Sequence, residues 1–421
     1  MDTQADVVVL GGGVVGTTVA LELQRAGRSV TLVDKGEVGQ ACSLGNAGWV
    51  TPCFAMPLPQ PGMFLKSIGW LLDSKSPLHI QPRLDPTLLS WLTHFLFAMN
   101  RKKMLSSIEV LTELSKYSLD YYAEIAGRSS GLQFEKKGLL MVSATDKGVA
   151  GARAEMELMQ ERGIPGRAMS RDEVLAFEPT LRPLIRGGVF FPEEAQIEPL
   201  PTSIAIAQEF QKLGGKILQK HEVFDFELSE GPSPKIQALR TTQGRIACDL
   251  LVLATGSWSL ELTKKLRTGI PVLGGKGYSM TFQGITKKPT RSIMLVDRKI
   301  AITPFQDRLR VAGTLELVNQ DFSISVERLD AVRSGAHEYL DLGGGETSSP
   351  TDIWRGLRPC TPDGVPVVGY SKKISNLFYC TGHQLLGLQS APGTARLAAD
   401  LITGKSPIVD PKPFRAERFN G

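Results

Sequence analysis

Cysteine is scarce in this chain of 421 residues, and no two cysteines stand close together. The five are Cys42, Cys53, Cys248, Cys360 and Cys380, and the five histidines are equally scattered. Disulfide frameworks and zinc sites use closely spaced cysteines or histidines, often as CxxC pairs. The spacing therefore argues against both, predicts no metal site, and indicates a reducing compartment.

Long apolar runs are missing as well. No run approaches the ~20 residues that a membrane-spanning helix needs, and strand-forming residues begin at Asp6 with no secretory signal before them. The net charge is only +5, and no extended basic surface with interleaved aromatic residues is evident. These absences predict a cytoplasmic protein that neither spans a membrane nor binds nucleic acid.

The positive charge is concentrated in residues 57–104, which contain six basic and two acidic residues. Aromatic residues stand among leucine and methionine in the same segment, namely Phe64, Trp70, Trp91, Phe95 and Phe97. An apolar segment with aromatic residues and flanking lysine or arginine suits a membrane interface. The same pattern is typical of helices packed on a protein core, so membrane contact and core packing both stay open.

The most informative pattern lies at the start of the chain. A Val-rich strand over residues 6–10 runs into GGGVVG, which places Gly11, Gly13 and Gly16 in the spacing GxGxxG. A helical pattern and a second strand follow, and Asp34 ends that strand. The glycines permit a tight turn, close approach of a pyrophosphate, and close helix–strand packing, while the helix start favours an anion. Asp34 suits the ribose hydroxyls, so this unit predicts a dinucleotide site rather than a plain glycine turn.

Two later segments favour a flavin over NAD. Residues 249–253 predict an apolar strand that runs into Ala-Thr-Gly, ending at Gly256, and such strand ends often lie against FAD. A second strand runs into Cys380-Thr381-Gly382-His383, and a helix follows from Gly387. The backbone N–H groups of such a loop reach the flavin pyrimidine, and the helix dipole stabilises negative charge on it.

Longer strings of residues extend the pattern beyond single motifs. They are GGGVVG, SLGNAGWVTP from Ser43, PGMFLKSIGWL, KGYSM from Lys276, KIAIT with RLRVAGT, WRGLRPCTPDGVPVVG from Trp354, and TGHQLLG. With these strings the chain resembles the D-amino acid oxidase superfamily of FAD-dependent oxidoreductases. Within it, the chain is most similar to bacterial D-amino acid dehydrogenase small subunits and D-hydroxyproline dehydrogenases, nearly from end to end.

The resemblance implies an α/β fold, α+β overall, with a Rossmann-like FAD-binding domain and an interwoven substrate domain built on an antiparallel sheet. The FAD-binding domain is expected to be discontinuous, and the substrate domain takes the intervening residues. The predicted FAD-binding ranges are 1–56, 145–222, 244–264 and 352–421, and the predicted substrate-domain ranges are 57–144, 223–243 and 265–351.

The resemblance also implies a reaction. A D-amino acid, or a cyclic D-imino acid such as D-proline or D-hydroxyproline, delivers its Cα hydride to flavin N5, and the imine hydrolyses to an oxo acid. Arg358 of the GLRP string is the first choice for binding the substrate carboxylate, because arginine is a planar, always charged, bidentate donor. Structural pairing near the flavin edge is its alternative role. Further catalytic candidates are Tyr278, Arg355, Lys276, Arg310 and His383.

One segment departs from the family pattern. In ITPF, Pro304 stands where the D-amino acid dehydrogenases commonly have an arginine. A pocket without that charge suits a cyclic imino acid better than D-alanine.

Contacts with FAD are carried over onto the matching positions of this sequence. They are Gly11, Gly13, Val14, Val15, Gly16, Asp34, Lys35, Ser43, Gly45, Asn46, Ala47, Gly48, Val223, Gly256, Trp258, Gly382, His383, Gly387 and Leu388.

Three functional hypotheses follow. The first is a dehydrogenase that passes electrons to quinone or a respiratory carrier and lies peripherally on the inner face of the bacterial cytoplasmic membrane. The second is a soluble glycine or sarcosine-type oxidase that produces peroxide. The third is a FAD-carrying subunit that is active only within a hetero-oligomeric dehydrogenase.

Overall fold

The strand, glycine turn, helix and second strand predicted at the start of the chain are present in the computed structural model. Strand β1 (Thr3–Leu10) leads into helix α1 (Val14–Arg25), and β2 (Val30–Val33) follows. The valines at the centre of β1 are fully buried, as expected for a parallel strand covered on both faces. The structure describes residues 3–62, 78–80, 85–128, 132–343 and 349–419.

Further helices follow along the chain: α2 (Pro86–Ala98), α3 (Arg101–Arg128), α4 (Asp146–Gln160), α5 (Arg171–Phe177), α6 (Pro199–Lys212), α7 (Ser259–Lys265), α8 (Val326–Tyr339) and α9 (Gly387–Thr403). The further strands are β3 (Trp49–Val50), β4 (Leu78–Ile80), β5 (Leu139–Ser143), β6 (Arg167–Ser170), β7 (Gly187–Phe191), β8 (Ala195–Gln196), β9 (Lys216–Leu218), β10 (Val223–Leu228), β11 (Ile236–Thr241), β12 (Gly244–Leu253), β13 (Leu273–Gln283), β14 (Ser292–Leu295), β15 (Ile300–Pro304), β16 (Arg308–Val318), β17 (Asp352–Cys360), β18 (Val367–Tyr370) and β19 (Leu377–Thr381).

Two large sheets organise these elements and confirm the predicted α/β class. In the first sheet the strand order is β10-β11-β12-β1-β2-β9, and β19 pairs with β12 and with β18. β1 runs parallel to both β2 and β12, so the carboxyl ends of these strands meet at one edge. In open parallel sheets, ligands bind beyond that edge.

The second sheet has the strand order β17-β13-β16-β15-β14-β5-β7-β6, and β4 pairs with β16. Its neighbours are antiparallel except for β14 with β5 and β16 with β4. Small residues on this sheet let neighbouring side chains lie close to it: a Cβ on Gly275 of β13 would overlap the Cys360 side chain, and one on Gly277 would overlap Arg358.

Strand pairing crosses the predicted domain boundaries. Residues 223–243 were expected in the substrate domain, yet β10 and β11 extend the first sheet next to β12. Conversely, β6, β7 and β17 belong to the second sheet although their residues were expected in the FAD-binding domain. The chain exchanges strands between the sheets, and its exact division into two domains stays a prediction.

The described part of segment 57–104 shows both a core face and an exposed face. On α2, the Trp91 side chain is fully buried and its Nε1 donates to the carbonyl oxygen of Cys360 at 2.9 Å. On the other side of α2, Leu89, Leu96 and Phe97 are exposed, Phe97 by 70%. Phe64 and Trp70 lie outside the described residues. Within the described ranges, no helix combines the length and the apolar character needed to cross a bilayer.

Candidate active site

A cavity of ≈ 940 Å³ lies between the carboxyl edge of the first sheet and one face of the second. The first sheet contributes the glycine turn after β1, the residues after β12 and the loop after β19. Strands β5 and β14 to β17 of the second sheet line the opposite side. Sixteen of the nineteen predicted FAD contacts therefore line one space, although they are spread over nearly 400 residues of the chain.

The glycine turn has the geometry that its spacing predicts. Gly11 has a φ of +115°, and a Cβ there would overlap the carbonyl oxygen of Ala254 in the neighbouring strand end. A Cβ on Gly16 would overlap the carbonyl oxygen of Gly11. Gly11 lines the cavity, whereas Gly16 lies behind it and lets α1 approach the turn.

The first turn of α1 faces this cavity with its N–H groups. Gly13 is the N-cap residue, so no cap side chain covers them, and the turn carries no acidic residue. The N–H of Val14 donates to Ser43 Oγ at 3.0 Å, which attaches the loop after β2 to the helix start. Gly13, Val14, Val15 and Ser43 all line the cavity. Such a helix start favours an anion, as a pyrophosphate requires.

Asp34 lies beside the same turn. Its Oδ2 accepts from the N–H of Gly12 at 2.5 Å and its Oδ1 from the N–H of Gly36 at 2.7 Å. These bonds fix the carboxylate at the cavity wall, where it is able to accept further hydrogen bonds from ribose hydroxyls.

An aromatic wall stands near Asp34. Lys35 Nζ lies 4.0 Å from the ring centroid of Trp258, and the Trp258 ring stacks on Phe322 at 5.9 Å. Val223 and Gly256 line the cavity in this region together with Lys35 and Trp258. The arrangement forms a flat apolar surface with a cation, which suits a planar heterocycle such as adenine.

The loop after β2 is held in place by a buried arginine. Arg310 Nη1 donates to the carbonyl oxygens of Leu44 and Asn46, at 3.2 and 2.9 Å. Gly45, Asn46 and Ala47 of this loop line the cavity. Gly48 does not line the cavity. Its φ is +81°, and a Cβ there would lie 2.6 Å from the carbonyl oxygen of Ile197, so glycine is required where the two backbones approach closely.

The loop after β19 closes another side of the cavity, and Gly387 and Leu388 line it at the start of α9. Gly382 adopts a φ of +81° and lies behind the wall. His383 is buried, its Nε2 lies 3.0 Å from Thr394 Oγ1, and burial lowers the pKa of the imidazole to about 3. The ring is therefore uncharged near neutral pH, so His383 brings no positive charge to the site.

Arg358 projects into the cavity from β17. Its Nη1 donates to the carbonyl oxygen of Thr314 at 2.8 Å, and burial holds the pKa of its guanidinium below the usual value. A Cβ on Gly277 would overlap the guanidinium, so the glycine on β13 makes its space. Arg358 forms no ion pair with any carboxylate of the described residues. A guanidinium that is partly buried and unpaired beside a cavity is a site for an anionic ligand.

The other catalytic candidates on this sheet do not line the cavity. Lys276 Nζ binds Asp321 Oδ2 at 2.7 Å beside a separate cavity of ≈ 300 Å³. Tyr278 is fully buried and its hydroxyl accepts from the N–H of Ser325 at 3.1 Å. Arg355 is exposed and its Nε donates to a backbone carbonyl at 2.8 Å. These three side chains are engaged away from the space that Arg358 enters.

Pro304, where the family pattern has arginine, does not line the cavity either. It ends β15, and its carbonyl oxygen accepts from Gln196 Nε2 at 2.7 Å.

Sequence reasoning missed the side chains that form the floor of the cavity. Ala312, Ala301, Met294 and Met141 are successive cross-strand neighbours on β16, β15, β14 and β5, and all four line the cavity. Glu155 of α4 lines it as well, and burial raises the pKa of its carboxyl to about 7. Alternation along each strand identifies the face on which each of the two alanines and two methionines lies, but only the register between strands shows that they are neighbours.

The residues present fit FAD. The cradle of glycines and the uncapped helix start accommodate a pyrophosphate, Asp34 suits a ribose, and the wall near Trp258 suits a purine. At the other side, the backbone of the loop after β19 and the start of α9 suit a flavin ring.

Comparisons with known proteins agree with this geometry. A family model described as FAD dependent oxidoreductase matches residues 6–401. D-amino acid dehydrogenase of Vibrio atlanticus is 31% identical over 98% of this chain and 100% of its own length. D-amino acid dehydrogenase of Rhizobium rhizogenes is 33% identical over 98% of this chain and 99% of its own length.

Solved structures share the fold at lower identity. L-proline dehydrogenase from P. horikoshii has a TM-score of 0.77 at 19% identity, over 100% of this chain and 99% of that one. Glycine oxidase from Geobacillus kaustophilus has a TM-score of 0.75 at 22% identity, over 99% of each chain. The predicted family is thereby confirmed: the chain belongs to the FAD-dependent oxidoreductases, with FAD as its cofactor.

Proposed function

We propose that this FAD-dependent oxidoreductase oxidises the Cα–N bond of a D-amino acid or a cyclic D-imino acid, such as D-proline or D-hydroxyproline. The product is an imine, which hydrolyses to an oxo acid or persists when it is cyclic. The observation that carries the proposal is the guanidinium of Arg358, which enters the cavity without an acidic partner among the described residues. The curated relatives named D-amino acid dehydrogenase support the substrate class.

The residues around the cavity support catalysis by positioning. When bound, FAD supplies the acceptor for the hydride that leaves Cα. A substrate bound as its free amine has already lost its ammonium proton, so no side chain is needed as a general base before the hydride leaves; the protonated imine that forms then releases a proton to water. The chain must instead hold the carboxylate through Arg358 and orient Cα, which is a contribution of geometry. The neutral imidazole of His383 adds no positive charge to the site.

The cavity floor supports a compact apolar side chain on the substrate. Ala301 and Ala312 leave space above the sheet, and Met141 and Met294 offer flexible, polarisable surface. The pyrrolidine ring of D-proline or its hydroxylated form matches such a floor better than a charged side chain does.

Anaerobic bleaching of the bound flavin tests the substrate class. We expect D-proline and 4-hydroxy-D-proline to bleach the flavin absorbance of the purified holoenzyme, and their L-enantiomers, glycine and sarcosine to leave it nearly unchanged. Bleaching by glycine or sarcosine, with rapid peroxide formation in air, would indicate an oxidase instead. If no amino acid bleaches the flavin until a partner protein is added, the chain is the FAD-carrying subunit of a larger dehydrogenase.

We further propose that electrons pass to quinone or a respiratory carrier at the cytoplasmic membrane. The exposed face of α2, with Leu89, Leu96 and Phe97, supports this, and it is followed by the basic cluster Arg101, Lys102 and Lys103 at the start of α3. Exposed apolar residues beside lysine and arginine suit an anionic bilayer surface.

The membrane proposal predicts a specific loss of lipid binding. Phe97→Ser is expected to lower the partition coefficient onto phosphatidylglycerol vesicles, measured by sedimentation, by roughly 10- to 150-fold, since burying a phenylalanine contributes about 1.5–3 kcal/mol. Val326→Ser is the matched control, because Val326 is equally exposed, at 70%, on a different helix, α8. Equal losses for both variants, or no vesicle binding by the parent protein, would count against membrane contact.

A further inference from the structure

The backbone of Thr314 is in a conformation that threonine rarely adopts. Its φ is +64°, in the left-handed region, where a β-branched side chain is strained. Such strain persists only where surrounding contacts impose it, and it concentrates at functional sites. Thr314 lies on β16 within the wall of the large cavity.

A β-bulge explains the strain. Lys276 of β13 pairs with Glu316, but the next pair is Tyr278 with Gly313, so Thr314 and Leu315 together oppose the single residue Gly277. Bulges of this kind redirect side chains and are frequent next to active sites. Gly277 is also the residue that makes space for the guanidinium of Arg358, so the bulge and the arginine share one location.

Of the two polar groups of Thr314 that bear on the site, the carbonyl is hydrogen-bonded and the hydroxyl is not. Its carbonyl oxygen accepts from Arg358 Nη1 at 2.8 Å. Its hydroxyl Oγ1 is buried and has no hydrogen-bond partner in the part of the chain that the structure describes. Buried hydroxyls are nearly always hydrogen-bonded, so a hydroxyl without a protein partner in a residue that lines a cavity needs a water, an ion or a ligand group as its partner.

We propose that the Thr314 hydroxyl donates a hydrogen bond to the same substrate carboxylate that Arg358 binds. Both groups belong to one patch, because the carbonyl of Thr314 is bonded to the guanidinium. A carboxylate is an acceptor only, and the guanidinium occupies part of its four lone-pair sites, so a neighbouring hydroxyl completes its binding. The inference rests on the proposed role of Arg358. It adds that the bulge holds Arg358 and Thr314 as one carboxylate clamp.

Three substitutions separate the hydroxyl from the backbone. Thr314→Val removes the hydroxyl and keeps the shape of the side chain. Thr314→Gly also removes the hydroxyl, and glycine adopts the left-handed conformation without strain. Thr314→Ser keeps the hydroxyl and is the matched control. The probe is benzoate, whose carboxylate is its only polar group, titrated into the holoenzyme and followed by the change in flavin absorbance.

We expect Thr314→Val and Thr314→Gly to raise the Kd of benzoate roughly 10- to 100-fold, as for a lost hydrogen bond to a charged group. Thr314→Ser should stay within about threefold of the parent, and all three should retain FAD. With D-proline, KM should rise by a similar factor while kcat changes less, because the lost contact is already present in the bound substrate. If Thr314→Val does not fold, Thr314→Gly alone decides the matter.

Several outcomes would overturn the inference. Unchanged benzoate binding in the hydroxyl-free variants would remove the hydroxyl from the carboxylate site. Equal loss in Thr314→Ser would show that only the backbone matters, and loss of FAD would assign the hydroxyl to the cofactor. Arg358→Met in the same titration separates the two proposals: if it too leaves benzoate binding unchanged, the carboxylate role of Arg358 fails, and the clamp fails with it.

Discussion

Arg358→Lys is expected to lower kcat/KM for the best D-amino acid substrate by roughly 30- to 5,000-fold, from the loss of about 2–5 kcal/mol of binding to a buried charge pair. Lysine keeps the charge but loses the planar fork that we propose binds both carboxylate oxygens, and its compact ammonium is more strongly hydrated. It also loses the fixed bond from Nη1 to the carbonyl oxygen of Thr314. The measurement is steady-state kinetics with an artificial acceptor, normalised to FAD content.

Arg355→Lys is the matched comparison for that experiment. Arg355 lies on the same strand, but its side chain is exposed and bonded to a backbone carbonyl outside the cavity. Its substitution is expected to change kcat/KM by less than about threefold, in line with surface substitutions elsewhere. A loss as large as that of Arg358→Lys would mean that β17 presents its substrate arginine on the opposite face.

The alternation of side chains along a strand explains why only Arg358 lines the cavity among the four predicted candidates on β13 and β17. Arg355 and Arg358 are three residues apart on β17, so their side chains point to opposite faces. Tyr278 of β13 lies directly opposite Arg355 and shares its face. Lys276 is two residues from Tyr278 and shares it as well. The strings KGYSM and WRGLRP contain this information only once the register of β13 with β17 is known.

The glycine turn and Asp34 were predictable because residues close together in the sequence form them. From β1 to Asp34 every functional residue lies within one βαβ unit, where local sequence decides turn, helix and strand. The cavity floor is formed by residues of the four strands β5, β14, β15 and β16, which pair although β5 is distant in the sequence from the other three. Alternation identifies the two faces of each strand, but no local signal shows which strands are neighbours.

The β10–β11 hairpin illustrates the same limit at the level of domains. Residues 223–243 were expected in the substrate domain, yet β11 pairs with β12 and the hairpin extends the first sheet. Antiparallel hairpins commonly occupy the edge of an otherwise parallel sheet. The boundary expected from the resemblance therefore runs between strands that hydrogen bonds join.

Gly16→Ala is expected to abolish the holoenzyme. The added Cβ would overlap the carbonyl oxygen of Gly11, which is backbone and has no rotamer to relieve the contact. Either α1 moves away from the turn or the turn changes shape, and both displace the N–H groups that suit the pyrophosphate. We expect soluble protein, where it is obtained, to carry less than about a tenth of the parent FAD content, given the cost of overpacking a rigid site.

Gly151→Ala is the matched control, because Gly151 also lies within a helix, α4, and a Cβ there meets no atom within 4 Å. Alanine at that position is expected to leave FAD content unchanged and to stabilise the protein by about 0.5–1 kcal/mol, since it costs less conformational entropy in a helix. The measurement is the ratio of flavin to protein absorbance together with Tm. Normal FAD content in Gly16→Ala would show that the turn after β1 tolerates movement of α1, so the tight glycine spacing would be a packing feature rather than a requirement for binding FAD.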